Sequence, residues 1–350
     1  MNKKILVWLS GWVDSAVSAY LLKKEWYDVT CWFMINYLAP EWEYCPTLED
    51  IKVAKEVASY LNLPFFTFDY IEEYENKVLN YMYEWYKSWI TPNPDIMCNS
   101  EIKFKVFLDE AIKLWFDKVA TGHYGQIIKK DNIFYLKKWT CENKDQSYFL
   151  AWLNQFQLSK SIFPIWNLKK SEVREIALKV WLPNALRKDS QWICFVWKVD
   201  LTKFLEKKID PKPGKIIDTS WKILWEHKWV FYYTIGQRKW LDIWWLKEPV
   251  FVIKKDLKNN ILIVWIEKDL ELYNDNLEVE NIHFLSWEII FPFEWFAKIR
   301  YRQKDEECIV EKLKDRYKVI FKKPQRAIAS GQIVAIYDKN NFLIMSWIIK

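Results

Sequence analysis

Over its first two hundred residues the chain alternates short apolar runs with amphipathic stretches, and that alternation limits the folds open to it more than any other feature. Ile5 to Leu9, Val29 to Ile35, Phe65 to Phe68 and Lys118 to Thr121 read as strands, while 14–24, 47–61, 71–88 and 101–115 carry helical periodicity. Strands separated by helices build βαβ units, so the expectation is a parallel sheet covered on both faces. Ligands of such sheets bind beyond the carboxyl ends of the strands. Two segments fall there, the loop Ser10 to Ser15 and Ala-Thr-Gly-His-Tyr at 120–124.

The stretch LVWLSGWVDSAVSAYLL, residues 6–22, runs a strand into a short Ser/Gly loop and then a helix. This arrangement aims free backbone N–H groups and a positive helix end at an anion. Glycine suits such a loop, because it has no Cβ to hold the backbone away from a phosphate. Trp8 and Trp12 oppose that. The chain holds 24 Trp and 6 Gly, whereas a usage of about 7% would give roughly 25 Gly. Tryptophans also stand where turn residues belong, as in Glu25-Trp26-Tyr27, Trp181-Leu182-Pro183 and Asp242-Ile243-Trp244-Trp245. The expectation is that many of these Trp codons are read as Gly in the source organism.

After about residue 205 the pattern changes. Pro211, Pro213 and Gly214 mark a break. Short alternating segments follow at Phe251 to Ile253, Ile261 to Trp265, Ala297 to Gln303, Cys308 to Leu313, Tyr317 to Phe321, Ile333 to Tyr337 and Phe342 to Ile349. They read as one or two small antiparallel barrels. The domains expected are 1–205, catalytic; 206–274, small and β-rich; and 275–350, a barrel. In Lys298-Ile299-Arg300-Tyr301-Arg302-Gln303-Lys304 every second residue is cationic, so a strand would align four charges along a phosphate backbone; a solvated strand face fits as well.

The net charge of +6 fits a polyanion partner or a plain enzyme. The chain has no run of 18 apolar residues, and its start enters a strand at once, so neither membrane span nor targeting peptide is expected and a cytoplasmic location is. The six cysteines form no Cys-x-x-Cys pair and the three histidines no His-Glu-x-x-His, so no zinc site is indicated. Cys31, Cys45, Cys141 and Cys308 have no argued role.

Ser10-Gly11-Trp12-Val13-Asp14-Ser15 lacks the lysine of a Walker loop; alone it also fits a serine-capped helix start. In Thr91-Pro92-Asn93-Pro94-Asp95-Ile96-Met97-Cys98-Asn99 two prolines hold the chain extended, and a helix is expected to begin just after Cys98, placing its sulfur near a positive helix end. Cys194, in Asp189-Ser190-Gln191-Trp192-Ile193-Cys194-Phe195, would by itself fit a buried structural thiol.

Together with Lys144-Asp145-Gln146-Ser147-Tyr148-Phe149, Thr234-Ile235-Gly236-Gln237-Arg238-Lys239, Arg300-Tyr301-Arg302-Gln303 and Ser330-Gly331-Gln332, these segments closely resemble the tRNA-specific 2-thiouridylases over nearly the whole chain. The departures are mainly Trp where that family has Gly, at 8, 12, 89, 115, 166, 192, 240 and 244. The resemblance implies a Rossmann-like α/β domain with the PP-loop of ATP pyrophosphatases, then β modules that contact tRNA. It implies that ATP adenylates the C2 oxygen of a wobble uridine, that a persulfide on Cys194 delivers sulfur, and that Cys98 frees it or closes a disulfide with Cys194, with Asp95 as acid/base. Trp8, Leu9, Ser10, Gly11, Trp12, Val13, Asp14, Ser15, Met34 and Gly122 would hold the nucleotide, with Mg²⁺ offsetting its charge. Asn93, Pro94, Asp95, His123, Lys144, Asp145, Gln146, Arg300, Tyr301 and Gln332 would meet tRNA. The implied partners are tRNAs for Lys, Glu and Gln and a persulfide donor, either a cysteine desulfurase or a sulfur-relay protein, and the chain would act as a monomer. Two rivals remain. One is a PP-loop synthetase that activates a small acid without cysteines; the other is a catalytically dead tRNA-binding relative whose Trp12 fills the phosphate cradle.

Overall fold

The computed structural model describes residues 2–38, 45–88, 90–139, 144–188, 205–206, 208, 210–266, 272–285, 293–314 and 316–350. The expected parallel sheet is present. β1 (Lys4–Trp8), β2 (Asp28–Ile35), β3 (Phe65–Asp69), β4 (Lys118–Ala120) and β7 (Ser161–Ile162) lie in the order β3-β2-β1-β4-β7, every pairing parallel. Alternate side chains of β1 and β2 enter different cores. Leu6, Trp8, Trp32 and Met34 pack with Phe104 and Phe107 on one face, and Ile5, Val7, Leu9, Cys31 and Phe33 pack with Val17, Val57 and Ala177 on the other. A strand buried on both sides has no polar face, which is why these strands read as continuous apolar runs.

The helices are α1 (Val13–Lys24), α2 (Pro46–Tyr60), α3 (Ile71–Tyr74), α4 (Asn80–Lys87), α5 (Pro94–Met97), α6 (Phe107–Lys113), α7 (Gln155–Ser159) and α8 (Lys170–Lys179). Helical turns of wider, π-type winding join α3 to α4 and α5 to α6. The helix predicted to begin after Cys98 instead begins at Pro94, whose fixed φ suits a first turn and whose missing N–H costs nothing there. Asn93 caps it, accepting from the Ile96 N–H.

A hairpin missed in the sequence, β5 (Gln126–Lys130) and β6 (Ile133–Lys137), turns at Asp131 and Asn132, both with positive φ. The middle region folds as β8 (Gly214–Ile217), β9 (Ile223–His227), β10 (Val250–Asp256) and β11 (Ile261–Ile266), in the order β10-β11-β8-β9. Here the expected antiparallel pattern is broken, because β11 and β8 pair in parallel. The last region comprises β12 (Tyr273–Phe284), β13 (Phe293–Lys298), β14 (Glu306–Leu313), β15 (Arg316–Arg326), β16 (Ile333–Tyr337) and β17 (Phe342–Ile349). It runs β12-β15-β14-β13-β16-β17 and closes through a β12–β17 pairing. The β5–β6 hairpin extends this sheet, with Leu136 opposite Leu343.

The alternating charges at 298–304 do not lie along a strand. β13 ends at Lys298 and the chain bends at Ile299. Lys298 is buried beside Asp145, and Arg300 donates inward to the carbonyls of Ala327 and Ile235.

Among the described residues, thirteen non-glycine residues have positive φ, and five of them are Trp26, Trp115, Trp181, Trp221 and Trp240. The left-handed region costs an L-residue with a Cβ about 1–2 kcal/mol, so the backbone at these five positions has a glycine's conformation. No helix among the described residues is long and apolar enough to cross a membrane.

Candidate active site

The loop between β1 and α1 is braced from within. The Ser10 N–H donates to Ser15 Oγ at 3.1 Å, Ser15 Oγ donates to the Trp12 carbonyl at 2.9 Å, and the two serine hydroxyls lie 3.0 Å apart. The serines thus hold the loop's shape as well as its helix start. Gly11 has φ +80°, and a Cβ there would stand 2.7 Å from the Asp50 carbonyl oxygen, so this position accepts glycine alone. Gly122 packs directly on the backbone of Asp14 and Ser15, which seats the turn after β4 on the α1 N-terminus.

Residues far apart in sequence hold the loop from outside. Asn184 Nδ2 donates to the Gly11 carbonyl at 2.9 Å, and Arg187 donates to the same oxygen at 3.1 Å while pairing with the buried Asp50 carboxylate. The Arg187 guanidinium also lies over the Trp12 ring, 4.2 Å from its centroid. Asp14 Oδ1 accepts from Tyr124 Oη at 2.7 Å and Lys170 Nζ at 2.6 Å. A loop without a Walker lysine needs cations from elsewhere, and Lys170 and Arg187 supply them. Sequence reasoning missed Asp50, Tyr124, Lys170, Asn184 and Arg187. The one local signal was the basic pair Arg187-Lys188 directly before the Asp189 to Phe195 segment.

The Cys98 segment belongs to the same neighbourhood. Cys98 is buried with Trp8, Met34 and Phe104 in one core, and Lys103, a turn further on, sits 4.7 Å above the Trp8 ring. Cys98 falls after the first turn of its helix rather than before it, where the pull of the helix end has faded. Asp95 is partly exposed. Tyr301 lies in the turn after β13 and is partly buried. Burial first, then the charge of Asp145, pushes the Tyr301 hydroxyl up to about 12, against a lowering pull from Arg302 and with smaller raising contributions from Asp14 and Asp95. Its ring packs on Phe149 at 4.4 Å between centroids.

Of the residues expected to meet tRNA, Asn93, His123 and Asp145 are buried, and Gln146, Arg300 and Gln332 are partly buried. His123 is buried between Phe104 and Phe163, its Nδ1 2.7 Å from Thr121 Oγ1, and burial followed by the Lys103 charge holds its pKa well below 6.5. Asp145 is buried, accepting from the Trp139 N–H and from the Ser147 N–H and hydroxyl. Gln146 accepts from the Tyr124 N–H at 2.9 Å, Arg300 faces inward, and Gln332 bonds to the Thr91 and Pro92 carbonyls. These polar groups satisfy buried backbone, which is their physical reason for turning away from the surface. Met34 is fully buried. Asn93 and Pro94 occupy the helix start, and Lys144 is half-buried. Cys194, with all of 189–204, and Cys141 lie outside the described residues. Burial pushes Cys31 and Cys308 up to about 12, in keeping with packing roles.

A parallel sheet whose first loop presents serines, a glycine and a helix N-terminus beyond the strand ends, with a buried cysteine alongside, defines an α/β phosphate-loop domain carrying two β modules. Residues 3–198 match the family described as the tRNA methyl transferase HUP domain, 202–265 the tRNA methyl transferase PRC-barrel domain, and 274–346 the aminomethyltransferase beta-barrel domain. The tRNA-specific 2-thiouridylase MnmA of Streptococcus thermophilus is 42% identical over 343 residues, spanning 96% of this chain and 92% of that protein. The protein of the same name from Alkaliphilus oremlandii is 42% identical over 344 residues, spanning 96% and 94%. The chain belongs to the tRNA-specific 2-thiouridylase family. Among solved structures, the U34-tRNA thiolase NcsA of Methanococcus maripaludis with its 4Fe-4S cluster is 17% identical with a TM-score of 0.37, covering 60% of this chain and 67% of that one. A 4-thiouridine synthetase in complex with RNA and ATP is 14% identical with a TM-score of 0.36, covering 59% and 50%.

Proposed function

We propose that the protein is a tRNA sulfurtransferase that replaces the C2 oxygen of a wobble uridine with sulfur at the expense of ATP. The observation that carries this reading is the braced Ser10 to Ser15 loop at the carboxyl end of β1, in a chain that matches this family over nearly its whole length. The uridine C2 oxygen attacks the α-phosphorus, an O–P bond forms, and pyrophosphate leaves. A carbonyl oxygen of this urea-like kind departs poorly until it is adenylated, so the reaction needs both a phosphate loop and a thiol. The terminal sulfur of a Cys194 persulfide then attacks C2 and AMP leaves. Cys98 attacks the Cys194 sulfur, so that 2-thiouridine is released and a Cys98–Cys194 disulfide forms, which a dithiol reductant reopens. Alternatively Cys98 attacks the persulfide first, and the freed hydrosulfide attacks C2. Asp95 moves the proton at the base.

Mg²⁺ fits this site as an ion held mostly by the nucleotide's phosphates and by water, because no cluster of three ligating side chains exists among the described residues and Asp14 is the loop's own carboxylate. It would neutralise developing phosphate charge. The target base must leave the anticodon stack to reach the cleft. The substrates proposed are tRNAs for Lys, Glu and Gln, the sulfur donor a cysteine desulfurase or relay protein, and the enzyme a cytoplasmic monomer.

Incubation with tRNA, ATP and a persulfide donor tests this. Thiouridine, AMP and pyrophosphate should appear together and only with tRNA present. Pyrophosphate release without tRNA, unchanged in Cys98→Ser, would identify a small-acid synthetase instead.

A further inference from the structure

We infer that Gln332, on the C-terminal barrel, is a positioning residue for Cys98 rather than a contact to RNA. Its amide nitrogen donates to the Thr91 carbonyl at 3.0 Å and to the Pro92 carbonyl at 3.1 Å, and its oxygen accepts from Asn93 Nδ2 at 3.4 Å. One side chain therefore ties three consecutive residues. Asn93 is in turn the cap of the helix that carries Asp95 and leads into Cys98. The barrel backbone joins in, since the Thr91 N–H donates to the Ser330 carbonyl at 3.1 Å. Gly331 has φ +86°, and a Cβ there would run into Ile90 and the Thr91 carbonyl, so the two segments touch at backbone distance. A neighbouring strut repeats the link, with Tyr148 Oη donating to the Ile333 carbonyl at 2.9 Å.

Thr91 and Pro92 lie ahead of the helix that starts at Pro94, in backbone that the two prolines keep extended, so no helix satisfies their carbonyls. Gln332 fills that need with the two donors of one amide. The barrel thereby sets the position of the reacting thiol, and anything that shifts the barrel loop, such as RNA bound on its surface, shifts Cys98 with it.

This inference rests on Cys98 being the reacting thiol, and its test is independent of turnover. Iodoacetamide labelling of Cys98, followed peptide by peptide in free Gln332→Ala protein, should be several-fold faster than in wild type. The kcat of thiolation should fall about tenfold, as expected for lost hydrogen bonds, with tRNA Kd unchanged. Should Gln332→Ala fail to fold, Gln332→Glu keeps the volume and removes both donors, and the same readings apply. Unchanged labelling with weakened tRNA binding would make Gln332 an RNA contact and overturn the inference, as would no change in either. A wild type that forms no thiouridine, but whose Cys98 labelling still responds to Gln332, would refute the proposed reaction and not the coupling.

A second inference stands on the backbone alone. We infer that the polypeptide in its own cell carries glycine at positions 26, 115, 181, 221 and 240. Three of these tryptophans end helices in the same way. The Trp26 N–H donates to the Lys23 carbonyl and the Tyr27 N–H to Leu22; Trp115 and Phe116 bond likewise to Ile112 and Ala111, and Trp181 and Leu182 to Leu178 and Ala177. That double bond pattern needs a left-handed residue, most often glycine. α2 ends in the same motif with Asn62, the usual substitute. Trp221 occupies the left-handed position of the β8–β9 turn, where glycine is preferred. The three helix-end indoles are more than 80% exposed, so they bury nothing that would offset the backbone strain. Mass spectrometry of protein from its native cell decides it. The tryptic peptides Leu114 to Lys118, Val180 to Arg187 and Ile216 to Lys222 should each be lighter by the difference between Trp and Gly. Peptides with tryptophan at these positions would overturn the inference. The Ile5 to Lys23 peptide then reports whether position 12 of the phosphate loop follows.

Discussion

Asp50 and Arg187, separated by 137 positions, form a partly buried ion pair against the phosphate loop, with the Asp50 carboxylate buried. The same guanidinium supports the Gly11 carbonyl, so the pair fixes the loop as well as joining α2 to the chain after α8. Asp50→Ala removes a charge-assisted hydrogen bond and leaves Arg187 with only the more exposed Glu49 at 3.9 Å, so it should cost about 1.5–3 kcal/mol in urea unfolding. Arg187→Lys should also weaken ATP binding, since an ammonium cannot make both contacts.

Tyr124 and Lys170 converge on one oxygen of Asp14. Tyr124→Phe and Lys170→Met each remove a hydrogen bond to a charged group, a loss of about 1.5–3 kcal/mol. The KM for ATP should rise about tenfold or more in each variant, while tRNA Kd stays unchanged. Equal KM values in wild type and both variants would detach this network from the nucleotide.

Cys98→Ser is isosteric and should keep tRNA affinity while abolishing thiouridine. Adenylation precedes the sulfur step, so tRNA-dependent pyrophosphate release should persist for at least one turnover. A variant that thiolated at the normal rate would remove Cys98 from the chemistry.

Arg300→Ala should act on stability. Its guanidinium bridges the carbonyls of Ala327 and Ile235, and burial followed by the nearby Arg326 lowers its pKa. We expect a loss of about 1–3 kcal/mol from the orphaned carbonyls, with the salt dependence of tRNA binding unaltered. A flatter salt slope without a stability loss would restore the reading of Arg300 as a phosphate contact.

All three histidines have pKa values lowered by burial, His123 the most. The folded state therefore resists protonation, whereas the unfolded chain takes up protons near 6.5. Below that pH the unfolded state binds more protons and stability falls, by up to about 1.4 kcal/mol per pH unit for each such histidine. Urea midpoints measured from pH 7.5 to 5.5 should show this, and His123→Gln should flatten the slope.

The parallel sheet and the phosphate loop were legible because strands buried on both faces leave unbroken apolar runs, and α1 follows its loop immediately. β12 was not legible, since Tyr273-Asn274-Asp275-Asn276 opens it with polar residues and its buried positions begin only at Leu277. The hairpin at 126–137 had its signal in Asp131-Asn132, which was passed over. Alternating charge at 298–304 misled because a period of two fits a strand without requiring one, and burial of Lys298 against Asp145 is a tertiary fact. The supports of the loop were hidden for the same reason: nothing near Asp50 in sequence announces Arg187.

β17 is hydrogen-bonded along one edge to β16 of the barrel and along the other to both β12 of the barrel and β6 of the first domain. One strand is thus the seam for both. A nascent chain that stops before Phe342 can form the parallel sheet and its phosphate loop, yet it has neither a closed barrel nor a seated hairpin. Loss of this one strand would therefore unseat two parts of the molecule at once, and the barrel and the hairpin stand or fall together.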